Sequence, residues 1–289
     1  MQQRKLGQRT VSAIGLGEMP MSIEGRPDER QAITTIHAAL DAGVTLIDTA
    51  DAYSLGGKDT GHGEELVAKA LATWGGDSDS VLVATKGGHL RPGDGTWEVN
   101  SDPDYLRQAC DASLHRLGVE SIGLYQYHRP DPKVPYEVAV AVFKELLDAG
   151  KVQMVGISNA NVDQIDLAAS ILGPGNLASV QNQFSPRFRS SLGELEHCGR
   201  LGVAFLPWSP FGGIGNADTL RADHPAFLRV AQVHEVSVHQ VVLAWMLAKG
   251  EQVIPIPGAS RVASIEDCLG ALSLKLTVDE LAELDRDEH

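Results

Sequence analysis

The 289-residue chain is short of cysteine, aromatic residues and positive charge, and it has no apolar run long enough to cross a bilayer. Its three cysteines (Cys110, Cys198, Cys268) are odd in number, far apart and not spaced as metal ligands. That excludes a disulfide framework, suits a reducing compartment and leaves the thiols as packing residues. Against 38 Asp+Glu stand only 24 Lys+Arg, a net charge of −14, the wrong sign for holding a polyanionic backbone. No nucleic-acid partner is expected. The opening MQQRKLGQRTVSAIGLGEMP lacks a long apolar segment before a small-residue cleavage site. The expectation is a cytoplasmic protein with no membrane partner. No low-complexity stretch or Pro/Ser-rich linker interrupts the sequence, so residues 1–289 read as a single domain.

Several common site signatures are also missing. GLGEMP lacks the third glycine of the G-x-G-x-x-G fingerprint, which excludes a Rossmann dinucleotide site. His234 and His239 in HEVSVH are one residue too far apart for the zinc-protease spacing, and no metal site is expected. GISNA lacks the closing glycine of a nucleophile elbow. Asp48 at the end of one run and Asp51 in the loop after it are close in sequence, whereas a glycosidase pair normally comes from different strands.

What is present is a repeated alternation. Eight short β-prone apolar runs recur: SAIGLGE, VTLIDTA, VLVATK, IGLYQYH, VQMVGIS, ASVQNQF, VAFLPWS and QVIPIPG. Between them lie stretches with helical spacing, such as Val138, Val142, Phe143, Leu146 and Leu147, or Val238, Val241, Val242, Trp245 and Met246. Several runs are nearly continuously apolar, as strands covered on both faces should be. Strand then helix, repeated eight times, predicts a closed parallel (β/α)8 TIM barrel. The Gly-Gln-Arg turn near the start predicts a hairpin plugging one end, and Thr277 with Glu280 predicts a capped final helix.

In such a barrel the carboxyl ends of the strands build the site. Asp48 ends the second run, with Tyr53 in the loop that follows; Lys86 ends the third and His128 the fourth. A lysine ammonium beside a tyrosine hydroxyl favours the phenolate and would depress its pKa. Asp48 would keep that ammonium charged, and His128 would donate a hydrogen bond to a substrate carbonyl. Singly, each residue has an ordinary structural explanation; four matched groups on consecutive strand ends are a much rarer accident. A Schiff-base lyase using Lys86 is a competing reading, as is a binding subunit that senses cofactor redox state for a partner protein.

These residues resemble the aldo-keto reductases almost end to end. IDTADAYSLGG resembles that family's Asp and Tyr motif, ATKGG its lysine motif and LYQYHRPD its histidine motif. The resemblance implies Asp48, Tyr53, Lys86 and His128 as a catalytic tetrad, with Tyr53 the general acid when NADPH reduces a small aldehyde or ketone. It also implies Ser158, Asn159 and Gln181 at the nicotinamide carboxamide and Trp208 stacked on the ring, with Ser209 and Pro210 beside it. Gly258, Ser260 and Arg261 would lie at the adenosine phosphates. Where many members carry Arg, Glu and Asn, this chain has Ser264, Asp267 and Cys268, which weakens the preference for NADP without making NAD the expected cofactor. The overall pattern resembles bacterial branches related to pyridoxal reductases. Substrate choice falls to the loops SLGGKDTGHG, HLRPGDGTWEVN and FGGIGNADTLRADHP, and the sequence sets no oligomeric state.

Overall fold

The computed structural model describes residues 1–213 and 220–287. The chain opens with an antiparallel hairpin, β1 (Gln3–Leu6) and β2 (Arg9–Ser12). The barrel strands are β3 (Leu16–Gly17), β4 (Leu46–Asp48), β5 (Leu82–Gly87), β8 (Leu124–Tyr127), β9 (Val155–Ser158), β10 (Leu177–Gln181) and β11 (Ala204–Phe205). A two-stranded ribbon, β6 (His89–Leu90) with β7 (Glu98–Val99), stands above them. The seven barrel strands pair in parallel in the spatial order β11-β10-β9-β8-β5-β4-β3.

The eighth predicted strand, QVIPIPG, closes the ring without forming a regular ladder. Phe205 bridges to Val253 on one side and Gly17 to Gly258 on the other, both in parallel. The amides of Gly15 and Gly17 donate to the carbonyls of Pro255 and Pro257, each at 2.9 Å. Prolines have no N–H to return, so this edge accepts hydrogen bonds from β3 and donates none through them. Closure is real, but it falls short of a continuous strand.

The helices are α1 (Glu29–Asp41), α2 (His62–Thr73), α3 (Pro103–Leu117), α4 (Tyr136–Asp148), α5 (Val162–Leu172), α6 (Leu192–Leu201), α7 (Leu220–Asp223), α8 (Pro225–His234), α9 (Val238–Leu247), α10 (Val262–Gly270) and α11 (Val278–Arg286). The expected capping box at Thr277 and Glu280 starts α11. Helix α9 buries every residue of its predicted stripe. On α4 the stripe is rotated: Val138 is 40% exposed while Ala139 and Val140 turn inward with Val142, Phe143 and Leu146.

Two apolar clusters follow from this layering. The larger lies between sheet and helices; the smaller fills the barrel with Leu46, Leu82, Ala84, Leu124, Met154, Leu206, Ile254 and Ile256, and includes Leu6 and Val11 from the hairpin. The hairpin therefore plugs the barrel, as expected. Its tip, Gly7, has φ +53° and sits so close that a Cβ would lie 2.8 Å from Met154 Sδ and 2.9 Å from Ala178 Cβ. Buried Arg4 fastens it by donating to the carbonyls of Gly250 (2.5 Å), Leu247 (2.8 Å) and Val253. Replacing Arg4 with Met leaves those carbonyls without a cationic donor. It should cost roughly 2–4 kcal/mol and lower Tm by roughly 5–10 °C in thermal melts. A variant melting with the native protein would rule out the fastening role.

Candidate active site

The parallel register brings the sequence-selected residues to one end. Asp48 closes β4, Lys86 is the penultimate residue of β5, and His128 directly follows β8; Ser158 and Gln181 close β9 and β10. Lys86 pairs with Gln126 across the sheet and Gln126 with Gly156. A Cβ on Gly156 would come within 2.8 Å of Gln126 Cγ, so glycine there leaves room for the Gln126 side chain to lie inside the barrel.

At the centre the Lys86 ammonium is 0% exposed. It donates to Asp48 Oδ1 at 2.6 Å, to the Thr49 carbonyl at 2.8 Å and to Tyr53 Oη at 3.1 Å. Asp48 Oδ2 accepts from the side-chain amides of Gln126 at 3.1 Å and Gln181 at 2.8 Å. Burial alone lowers the pKa of the ammonium, but Asp48 and Tyr53 outweigh it, and Lys86 is held above its ordinary value. With no lone pair and no exposure, this lysine is poorly placed to form a Schiff base, and the lyase reading is not supported.

Tyr53 corrects one expectation. Burial pushes its phenol above the ordinary value, an effect that Lys86 opposes without overcoming. The phenol is held protonated at neutral pH instead of being poised to ionise. His128, 7% exposed, lies edge-on to Tyr53 with ring centroids 5.8 Å apart. Burial first, and Lys86 second, hold His128 well below its ordinary value, so its imidazole is neutral. Its Nδ1 is buried without a hydrogen-bond partner. The ribbon β6–β7 adds His89, 4.7 Å from the His128 ring and stacked on Trp97 at 4.9 Å. Burial lowers the His89 pKa to about 4.

A cavity of about 1130 Å³ opens over this cluster. Its walls include Asp48, Tyr53 and His128, together with Ser158, Asn159, Gln181, Trp208, Ser209, Pro210 and Gly258 from the expected cofactor set. Lys86 lies beneath the floor. Asn159 and Ser209, both in the cavity wall, hold left-handed φ values of 57° and 51°, which strains the backbone there. Ser260 and Arg261 are not brought into this cavity. Arg261 lines a separate one of about 370 Å³ with Arg30, Gln31 and Thr34, and the Ser260 carbonyl accepts from Gln31 Nε2 at 2.9 Å. Ser264 heads α10. Asp267 is occupied in joining α10 to α9, accepting from Ser237 Oγ at 2.7 Å and Gln240 Nε2 at 2.8 Å, and Cys268 is buried. Within FGGIGNADTLRADHP, residues 214–219 lie outside the described residues.

All three cysteines are buried and unpaired, with burial pushing each thiol up to about 12. His234 pairs with Glu280, and His239 lies against Phe211. Among the described residues no group of histidine, cysteine or carboxylate side chains could hold a metal ion, and no helix is long and apolar enough to cross a membrane. Sequence reasoning missed Gln126, Thr49 and above all Glu18. Glu18 sits in the segment GLGEMP at the end of the first barrel strand, is 0% exposed, and accepts from Thr49 Oγ1 at 2.9 Å. Its position at a strand end was the available signal. Asp51, read only as a loop residue, is also buried, and burial together with Glu64 pushes its carboxyl well above the ordinary range.

Comparison with known proteins agrees with this architecture. The model of the Aldo/keto reductase family matches residues 13–287. A probable aldo-keto reductase 1 of Glycine max is 32% identical over 98% of this chain and 88% of its own length. The glycerol dehydrogenase of Gluconobacter oxydans superposes with TM-score 0.82 at 26% identity, covering 98% of this chain and 94% of that one. An aldo/keto reductase from Klebsiella pneumoniae, solved with NADP and acetate, superposes with TM-score 0.81 at 26% identity over 99% of this chain and 95% of that one. A parallel barrel plugged by a hairpin, with a tyrosine, a lysine and an aspartate bonded together at its carboxyl end, and a family match over nearly the whole chain make this protein a member of the aldo/keto reductase family, an NAD(P)H-dependent oxidoreductase.

Proposed function

We propose that this protein, working as one barrel domain over residues 1–289, reduces small aldehydes and ketones with NADPH, and oxidises the alcohols in reverse, with Tyr53 as general acid. The observation that carries this reading is the buried ammonium of Lys86, 3.1 Å from the Tyr53 hydroxyl and 2.6 Å from Asp48 under an open cavity. A carbonyl oxygen placed between Tyr53 and His128 would meet two neutral donors. As the oxygen gains electron density, Tyr53 passes it a proton, and Lys86 stabilises the phenolate left behind. Asp48 fixes the ammonium, and Gln126 and Gln181 fix Asp48. The raised pKa of Tyr53 suits an acid that must stay protonated until that moment.

The cavity wall fits a nicotinamide cofactor. Asn159 Nδ2 is spent on the His128 carbonyl and Ser158 Oγ, both at 3.0 Å, while its Oδ1 meets only Arg129 at 3.5 Å and can accept from a carboxamide. Among the described residues Trp208 Nε1 is a buried polar atom with no hydrogen-bond partner. A Cβ on Gly258 would fall 2.7 Å from Pro20 Cγ, so that stretch of wall is bare backbone. Ser158, Asn159 and Gln181 would hold the carboxamide and Trp208 the ring, with Ser209 and Pro210 beside it and Gly258 toward the phosphates. When bound, the cofactor supplies the hydride added to the carbonyl carbon. Arg261, and Arg30 across the smaller cavity, favour a 2′-phosphate and hence NADPH. Ser260 supplies backbone there.

Tyr53→Phe should lower kcat for aldehyde reduction by about 10²–10⁴-fold, with NADPH affinity unchanged by fluorescence titration. Retained turnover would remove Tyr53 from the acid role. A native protein that binds NADPH but turns over no member of an aldehyde, ketone and pyridoxal panel would favour the redox-sensing subunit instead. Arg261→Ala should weaken NADPH binding by about tenfold while leaving NADH unaffected. Equal losses for both cofactors would count against the assigned phosphate contact.

A further inference from the structure

A polar chain runs behind the site and joins it through Thr49. The Thr49 carbonyl accepts from the Lys86 ammonium at 2.8 Å, and the Thr49 hydroxyl donates to Glu18 Oε2 at 2.9 Å. Glu18 Oε1 accepts from Ser22 Oγ, which lies 2.8 Å from Nδ1 of His62, a half-buried residue at the start of α2. The fit is tight. A Cβ on Gly63 would fall 2.4 Å from Glu18 Oε2 and 2.6 Å from Thr49 Oγ1, so a glycine in the first turn of α2 lets the helix pack directly against the pair. A carboxyl group at 0% exposure costs stability unless it is bonded or neutral, and nothing in the packing of an apolar barrel requires one here.

We propose that Glu18 is a positioning residue for carbonyl reduction: it holds Thr49 and, through it, Lys86, and its protonation, exchanged with solvent through Ser22 and His62, sets how readily Tyr53 releases its proton. The inference rests on Tyr53 being the general acid. The charged and titratable groups facing Glu18 are Lys86 from β5, Asp48 from β4 and Tyr53 from the following loop. On the solvent side His62 is faced by Arg26, Asp59, Glu65 and Lys69. Burial pushes the Glu18 carboxyl up to about 7, against the lowering effects of Ser22, Thr49 and Lys86. The sign follows directly. Above that pH Glu18 carries a negative charge, which disfavours the phenolate and makes Tyr53 a weaker acid; below it the neutral carboxyl relieves that opposition. His128 is neutral on both sides of this range and His89 titrates near 4, so neither ring supplies a change near pH 7.

The test is the pH dependence of kcat in both directions from about pH 5.5 to about pH 9, bracketing the group at issue. In the native protein, reduction should fall by about three- to tenfold as pH rises through about 7. Glu18→Gln, neutral at every pH, should stay on the acid plateau, and its alcohol oxidation should reach its maximum at a pH lower by up to ~1 unit. Thr49→Val keeps the carbonyl to Lys86 but deletes one donor to the carboxylate, so it should move the native step to higher pH. It also decides the matter if Glu18→Gln does not fold. Variant profiles that track the native one, or that drop by one factor at all pH values, would overturn the role of Glu18 while leaving that of Tyr53 intact. A native protein that reduces no aldehyde or ketone overturns both.

Discussion

The site depends on one buried cation. Taking an ammonium out of water costs on the order of several kcal/mol, and it persists only where its donors are met. Lys86 has three acceptors, supplied by Asp48, Thr49 and Tyr53, and that requirement organises its surroundings. Asp48 in turn needs donors for its second oxygen and finds them in Gln126 and Gln181 on strands further round the barrel. Each partner recruits the next, so the polar interior at the carboxyl end is a bonded network with the Tyr53 phenol at its edge.

The opposite end of the barrel is organised by exclusion. Leu6 and Val11 of the hairpin complete the inner apolar cluster, and Arg4 is tied to backbone carbonyls around residues 247–253. Those carbonyls lie beside the stretch where Pro255 and Pro257 weaken the closing strand. The hairpin thus reinforces the seam where the ladder is poorest. It does so at the end of the barrel opposite the phenol, which separates the residues that hold the barrel shut from the polar cluster around Lys86.

Desolvation has opposite consequences for groups a few ångströms apart. It makes His128 and His89 neutral donors, and it keeps Tyr53 protonated, while Lys86 stays charged because its partners outweigh burial. A protonated phenol, a neutral imidazole and a cation thereby coexist at one end of the barrel at neutral pH.

Local patterns in the sequence determined the alternation of strands and helices, the hairpin turn, the Thr277 cap and the placement of Asp48, Lys86 and His128 at strand ends. Strand periodicity, turn chemistry and position at a run's end are all short-range properties. Tertiary structure alone decided the rest. Val138 faces outward because α4 is rotated on the sheet, and QVIPIPG closes the ring without donating from its prolines. Arg261 lies in a cavity apart from the one over Lys86, and the Tyr53 pKa goes up because burial outweighs its cation. Glu18 acquires a role only when the first strand, Thr49 and the start of α2 converge on it. Desolvation and hydrogen bonding between residues 30 or more positions apart depend on packing, which no local reading of the chain contains.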